Sequence, residues 1–160
     1  MLSADQKRGF SDTNLLRLTP VGDSGEVDRQ SIFALYKLSL HGYVSQTFGW
    51  DESFQKERFD VSYPDLISVD LESSTVGYVA LRTSVEEIHL SLLILQPEYR
   101  NRGIGRKVME TLMARAVESN LPLTLSCFLC NEGAMRFYRE LGFLLVRKDE
   151  HFADYRLPAL

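Results

Sequence analysis

The sequence contains 160 residues, of which 44% are hydrophobic and 25% are charged, a composition typical of one soluble globular domain. Its net charge of −4 argues against nucleic acid as the main partner, because nucleic-acid-binding proteins usually carry a basic surplus on one face. No apolar run approaches the roughly 18 residues that span a membrane, and the N-terminus has no signal-like apolar stretch. We therefore expect a cytoplasmic protein.

The N-terminal residues differ in character from the rest of the chain. Residues 1–13 are polar and predict a disordered segment, which leaves residues 14–160 as a single domain. Residues 14–19 alternate between apolar and polar side chains as an opening strand does, and Pro20 ends this pattern.

Two helices are predicted next. Apolar spacing indicates a helix that begins at Asp28 as N-cap and stops near Gly42. A second, short helix is predicted to start at Asp51. The stretch between them, residues 43–50, is predicted to be a connection, although it is unusually aromatic.

Three strands are predicted in the middle of the chain. Residues 66–71 and 76–83 form a hairpin around a turn at residues 72–75. Residues 87–95 are the most apolar of the predicted strands, so we expect them at the centre of the sheet.

The last part of the chain begins with the clearest helix. Its apolar stripe consists of Ile104, Val108, Leu112 and Ala116. A strand at residues 121–129 and a helix capped by Asn131 and stopped at Gly142 follow. Residues 143–147 and 153–157 are the final strands. The order β-α-α-β-β-β-α-β-α-β-β predicts an α+β (α/β) fold, in which about four helices flank a mixed, mostly antiparallel sheet of about seven strands.

A turn rich in glycine and arginine follows the most apolar strand. Pro97 ends that strand, and Gly103 and Gly105 open the long helix. Free N–H groups at a helix start favour an anion, and glycines let phosphate oxygens approach them. Further positive charge comes from Arg100, Arg102, Arg106 and Lys107. The turn predicts a phosphate site, with the alternative that its glycines only satisfy backbone geometry. The nucleotide-binding motif G-x-x-x-x-G-K-[ST] is absent.

Three segments resemble sequence motifs of the GNAT superfamily of N-acetyltransferases. Arg100, Gly103 and Gly105 fill the fixed positions of the acetyl-CoA-binding motif Q/R-x-x-G-x-G/A. Residues 131–143 are similar to the family's N-x-x-A-x-x-F-Y-x-x-L-G-F. Residues 43–52 resemble a bacterial subgroup that carries Y-V-x-Q-T-[WF]-G-W-D-E. The resemblance implies a GNAT-type fold and transfer of an acetyl group from acetyl-CoA to an amine.

The resemblance also implies where acetyl-CoA binds, as a co-substrate and without a metal. The backbone of residues 93–95 would bond the pantetheine amides as an added strand would, and the amides of residues 102–106 would hold the pyrophosphate. The complete predicted set is Leu93, Ile94, Leu95, Arg100, Asn101, Arg102, Gly103, Ile104, Gly105, Arg106, Asn131, Ala134, Phe137 and Tyr138.

In this family the amine attacks the thioester directly in a ternary complex, so the resemblance implies no nucleophilic Ser or Cys. Cys127 and Cys130 form a C-x-x-C, but they follow a strand pattern without further ligands nearby, so we interpret them as two packed thiols. Tyr138 occupies the family's tyrosine position and is the predicted general acid. The alternative is a tyrosine that only packs beside Phe137.

The reaction also needs a group that accepts a proton from the amine. Along the predicted strand Glu87, His89, Ser91 and Leu93 share one face. His89 falls about where relatives place a glutamate base, and histidine titrates near neutrality. Glu87, one pleat further from the thioester, is the other candidate.

The acceptor is predicted to bind between the first two helices and the strand at Glu87. The predicted walls are Tyr43, Phe48 and Trp50. The alternative is that these rings only fill the core between the helices. The acids that could attract a cation there are Asp51, Glu52 and Glu87.

Three functions stay open from the sequence. An N-acetyltransferase for a primary amine of a small molecule is favoured, because the aromatic residues 43–50 predict a pocket rather than a shallow groove. The alternatives are a non-catalytic acyl-CoA-binding module and a protein-lysine or N-terminal acetyltransferase. Since many relatives dimerise, the resemblance also allows a homodimer.

Overall fold

A computed structural model describes residues 16–22 and 26–159 of the chain. The helices there are α1 (Glu26–Thr47), α2 (Glu52–Ser62), α3 (Ile104–Ser119) and α4 (Glu132–Glu140). The strands are β1 (Leu16–Pro20), β2 (Leu66–Leu71), β3 (Ser74–Thr83), β4 (Ile88–Leu95), β5 (Leu123–Phe128), β6 (Leu144–Lys148) and β7 (Phe152–Leu157). The predicted order of helices and strands is confirmed. The segment predicted to be disordered lies outside the described residues.

The seven strands form one sheet in the order β1-β2-β3-β4-β5-β7-β6. Every neighbouring pair is antiparallel except β4 and β5, which are parallel. The mixed, mostly antiparallel sheet and the central position of β4 are therefore as predicted. None of the helices in the described ranges is long and apolar enough to cross a membrane.

The sheet opens between its two central strands. β4 and β5 pair at only three positions, from Ile88 opposite Leu123 to Leu90 opposite Leu125. Beyond these pairs β4 continues to Leu95 and β5 to Phe128 without further pairing to each other. The strands thus leave a wedge-shaped opening, and the side of β4 that faces it has no neighbouring strand there.

Two hydrophobic cores lie on opposite faces of the sheet. The larger core includes the stripe of α3 predicted from the sequence, and Val108 and Leu112 are fully buried there. The smaller core lies under α1 and α2, which contribute Leu35 and Phe59. Burial of each such side chain stabilises the fold by about 1.5–3 kcal/mol. The opening in the sheet therefore has a separately packed core on each of its two faces.

A β-bulge in β4 changes which face its side chains occupy. Ser91 is an extra residue in the pairing with β3, between Leu90 and Leu92. Leu90 packs in the core with α3, whereas Leu92 packs in the core with α1 and α2. A bulge shifts the alternation of a strand by one residue. The prediction that Leu93 shares a face with His89 is therefore wrong, and Leu93 packs against the larger core.

The limits of some elements differ from those predicted. α1 continues through Gly42 to Thr47, so most of the stretch predicted as a connection is helical. The helix continues because Val44 is buried, and it ends where Gly49 adopts a left-handed φ of 81°. The predicted N-cap Asn131 is confirmed, since its side chain accepts a backbone N–H bond from α4, and α2 starts directly after Asp51, whose side chain accepts one from α2. The predicted N-cap Asp28 is wrong, because α1 begins at Glu26 and Asp28 lies within the helix.

Candidate active site

The turn before α3 presents free backbone N–H groups at one end of the opening. Asn101 and Gly103 have φ values of 58° and 79°, and Gly103 precedes α3 without any side-chain cap on its first amides. The first turn of α3 contains no acid, while Arg102 and Arg106 are exposed beside it. An uncapped helix start with basic neighbours fits an anion such as a pyrophosphate.

Arg100 lies differently from the other basic residues of the turn. Its Nε donates to the carbonyl oxygen of Leu95 at 3.0 Å, and a guanidinium nitrogen donates to Ser39 Oγ at 3.1 Å. Arg100 therefore ties the end of β4 to α1. The sequence predicts its charge at the helix start, but there Arg102, Arg106 and Lys107 supply the positive charge instead.

A cavity of about 660 Å³, which we call the central cavity, occupies the opening between β4 and β5. Side chains from both faces of the sheet line it. Those predicted from the sequence are Tyr43, Phe48, His89, Leu93, Asn131, Ala134 and Tyr138. The cavity thus places the predicted acid and one predicted base candidate beside predicted acceptor walls.

Tyr138 lies on the α4 side of the central cavity. Burial raises the pKa of Tyr138 well above its ordinary value, and the nearby Cys127 adds to the rise, so the phenol stays protonated. Phe137 and Phe143 hold its ring, with centroid distances of 5.1 and 5.7 Å. Its hydroxyl makes no hydrogen bond to any described residue. A protonated hydroxyl that faces the cavity can donate a proton to a leaving group.

The two cysteines are free thiols in different environments. Burial, with a smaller contribution from Asp154, raises the pKa of Cys127 to about 11. Because the thiolate is the nucleophilic form, this buried thiol is poorly suited to form an acyl-enzyme. Cys130 is exposed beyond the end of β5, and its Sγ donates to the carbonyl oxygen of Tyr43 at 3.8 Å. The prediction of two packed thiols holds only for Cys127.

His89 and Glu87 occupy different places. The Nδ1 atom of half-buried His89 lies 2.8 Å from Thr124 Oγ1, and the histidine lines the central cavity. Glu87 precedes β4, where its carbonyl oxygen accepts a bond from Ser84 N at 2.9 Å. Glu87 lines a surface recess that includes Arg156, and His89 lines both this recess and the central cavity. Glu87 itself does not line the central cavity.

Trp50 and its neighbouring acids lie away from the central cavity. The indole Nε1 of Trp50 donates to Glu52 at 2.6 Å, and Lys37 pairs with the same carboxylate at 2.9 Å. The Trp50 bond, followed by the Lys37 contact, lowers the pKa of Glu52. Trp50 packs against the smaller core, and the Asp51 side chain accepts the N–H of Phe54. Core filling is therefore the better interpretation of Trp50, and Asp51 and Glu52 do not line the central cavity.

The sequence reasoning missed the contribution of α2 to the central cavity. Phe54, Gln55 and Arg58 line it from the side opposite Tyr138. A signal was present, because Gln55 falls four residues before Phe59 on the buried face of α2. A glutamine on such a face usually has a specific hydrogen-bonding role. Thr124 and the Ser126–Asp154 pair, joined at 2.5 Å, were also missed.

A mixed sheet split at its centre, an uncapped helix start at the split and a buried tyrosine facing the gap define a class of proteins that bind an acyl-CoA in an open sheet. The sequence profile described as Acetyltransferase (GNAT) family matches residues 30–143, and the chain belongs to this family. It is accordingly an acyltransferase that depends on acetyl-CoA.

Individual relatives agree with this assignment. The chain is 25% identical over 112 residues to the peptidyl-lysine N-acetyltransferase YjaB of Escherichia coli K12, covering 70% of this chain and 71% of that protein. An acetyltransferase from Streptococcus agalactiae superposes with a TM-score of 0.68 at 17% identity, covering 91% and 99% of the two chains. The PaiA N-acetyltransferase from Thermoplasma acidophilum, solved with coenzyme A, gives 0.66 at 14% identity, covering 89% and 98%. The predicted GNAT-type fold is confirmed.

Proposed function

We propose that the protein transfers the acetyl group of acetyl-CoA to a primary amine of a small molecule, by direct attack in a ternary complex. The observation that carries the proposal is the central cavity. Its volume of about 660 Å³ is within the range of small-molecule sites. Tyr43 from α1, Phe48 directly after α1 and Phe54 from α2 give it aromatic walls. Such walls favour a compact amine over an extended peptide chain.

The donor half of the site uses the opening and the turn before α3. The edge of β4 at residues 93–95 is unpaired on the side of β5, so its backbone groups are available to amides of the pantetheine arm. The free amides that follow Gly103 suit the pyrophosphate. On the other side of the gap, Asn131, Ala134 and Tyr138 line the same cavity.

Proton transfer in this proposal involves two residues on opposite sides of the opening. His89 accepts the proton of the amine, and Tyr138 returns a proton to the departing thiolate. The contact between His89 Nδ1 and Thr124 Oγ1 supports this role, because a histidine that donates through Nδ1 keeps Nε2 as an acceptor. Cytoplasmic location and a homodimer stay predictions from the sequence.

The test is an acceptor screen that measures thiol release from acetyl-CoA with free amines and lysine peptides. We expect free small amines to be the best acceptors. Tyr138→Phe should lower kcat by about a hundredfold or more, as loss of a general acid does. Because the phenylalanine keeps the ring contacts, its Kd for coenzyme A should stay within about twofold.

The control is Tyr155→Phe, since Tyr155 is a buried tyrosine 6.4 Å from Tyr138 between ring centroids that does not line the central cavity. It should retain full activity. Coenzyme binding without acetylation of any amine would indicate a non-catalytic module. A preference for lysine peptides over every free amine would support a lysine acetyltransferase, the activity for which the relative YjaB is named.

A further inference from the structure

Gln55 carries an unused hydrogen-bond donor at the central cavity. The side chain is only 5% exposed, and its Oε1 accepts a bond from the Tyr36 hydroxyl at 3.0 Å. Its Nε2 has no hydrogen-bond partner among the described residues, and the residue lines the cavity. No fully buried side-chain nitrogen or oxygen of the described residues lacks a partner, so this Nε2 reaches the cavity and is available to donate to a ligand oxygen.

Arg58 presents a positive charge beside the same donor. It follows Gln55 by three residues, so both side chains lie on one face of α2. Burial raises the pKa of Tyr36, and the Arg58 guanidinium opposes that rise, which places its charge near the Tyr36 hydroxyl. Within the described ranges Arg58 forms no ion pair. A permanently charged, planar donor therefore faces the cavity next to Gln55 Nε2.

The acids near α2 do not neutralise this charge in the central cavity. A second cavity of about 480 Å³, which we call the outer recess, lies between α2 and β4. Arg58 lines this recess as well, but Asp65 there pairs with Arg82 at 3.0 Å, and Glu57 does not line the central cavity. At the other end of the central cavity Asp154 accepts a bond from Ser126. The cavity is thus positive at α2, whereas its end at β6 and β7 carries Asp149 and Asp154 with one opposing arginine, Arg147.

We infer that the acceptor amine also carries a carboxylate, which Arg58 and Gln55 bind while the amine lies toward His89. The N–H groups of a guanidinium, together with one amide N–H, can donate hydrogen bonds to both oxygens of a carboxylate. A cavity with opposite charges at its two ends suits an ammonium carboxylate such as an amino acid. The inference rests on the proposed function, because it names the class of acceptor for the same site.

The experiment compares matched amines in the thiol-release assay at saturating acetyl-CoA. Each amino acid is paired with its carboxamide, and an aminoalkyl phosphate and an internal-lysine peptide complete the panel. We expect kcat/KM to be about tenfold or more higher for the carboxylate of a pair, the usual effect of a charged hydrogen bond. Arg58→Gln should remove this preference by raising KM, with little change in kcat.

Arg82→Gln is the matched control, because Arg82 is an exposed arginine that lines the outer recess but not the central cavity. It should keep the preference for carboxylates. A wild-type preference for carboxamides, the phosphate or the peptide would overturn the inference while amine acetylation stands. If Arg58→Gln lowered kcat/KM equally for an amino acid and for its carboxamide, the inference would also be overturned. If no amine in the panel is acetylated while coenzyme A still binds, the proposed function fails, and the inference fails with it.

Discussion

The position of His89 depends on a single side-chain contact across the two central strands. Its Nδ1 lies 2.8 Å from Thr124 Oγ1, at a position where β4 and β5 still pair. The strands separate one residue later, after Leu90. The histidine is therefore held by the last paired part of the sheet and faces the space where that pairing stops. This arrangement gives a fixed ring at the edge of an opening.

We expect the substitution His89→Gln to lower kcat by about a hundredfold, because a general base contributes about 10²–10⁴-fold. Thr124→Val keeps the shape of the threonine but removes the hydrogen bond, so it should lower kcat less and change its pH dependence. KM for acetyl-CoA should not change in either variant. The measurement is kcat as a function of pH, with the exposed Thr111→Val as control. An unaltered pH profile in His89→Gln would exclude it as the base.

A residue of the candidate site could be predicted from the sequence only where it belongs to a local motif. Tyr138 and the turn glycines belong to contiguous motifs, so their numbers follow from the sequence alone. Gln55 and Arg58 were not predicted, because helical periodicity identifies the buried face of α2 but not the cavity that this face meets. Trp50 was misplaced because α1 extends further than expected and turns its ring toward Lys37.

Among the elements, the start of α3 depends on two glycines with different roles. Gly103 has a φ of 79°, which an L side chain adopts only with strain, although the space around it is open. Gly105 has an ordinary φ, and a Cβ there would make van der Waals contacts of 3.9 Å with Leu95 and Phe137. The first glycine is needed for backbone conformation, whereas the second could accommodate a methyl group.

Gly103→Ala should therefore destabilise the fold by about 1–2 kcal/mol, the cost of a left-handed residue with a side chain. It should also weaken coenzyme binding, because the amides after residue 103 would move. Gly105→Ala, the matched variant, should leave both quantities nearly unchanged. Urea unfolding and calorimetric titration with coenzyme A measure them. Equal effects of the two substitutions would contradict this assignment of roles.

The elements themselves were largely predictable, and the exceptions have physical causes. Turn residues mark the ends of β2 and β3, and asparagine and aspartate caps mark α2 and α4. Gly42 predicts a helix stop, but tertiary burial of Val44 outweighs the low helix propensity of one glycine. The bulge at Ser91 has no local signal, since the apolar alternation of β4 continues through it.

At the scale of the whole molecule, the proposed donor site joins parts that belong to different elements. The edge of β4, the start of α3 and the side of α4 meet only where the sheet opens. The fold class was predictable because these elements follow one another in a recognisable order. The opening between β4 and β5 is implied by the family resemblance and not by any local sequence pattern, because it depends on where the pairing of the two strands stops.

A ligand that bridges these elements should stabilise the whole domain. At a coenzyme A concentration of about 100 times its Kd, we expect about 2.7 kcal/mol of added stability. For a chain of this size that corresponds to a rise in Tm of about 5–10 °C. Thermal unfolding followed by circular dichroism measures it. The same rise at equal coenzyme concentration in Gly103→Ala would argue against binding at the turn before α3.

The bulge at Ser91 lets one strand meet two separate requirements. Before it, the side chain of His89 lines the central cavity, and after it Leu93 and Leu95 pack against the larger core. A change of side chain at position 89 therefore alters the cavity wall without altering the packing of Leu93 and Leu95, whose backbone is the proposed site of the pantetheine arm. A single inserted residue thus makes the cavity wall and the donor edge of one strand separately adjustable.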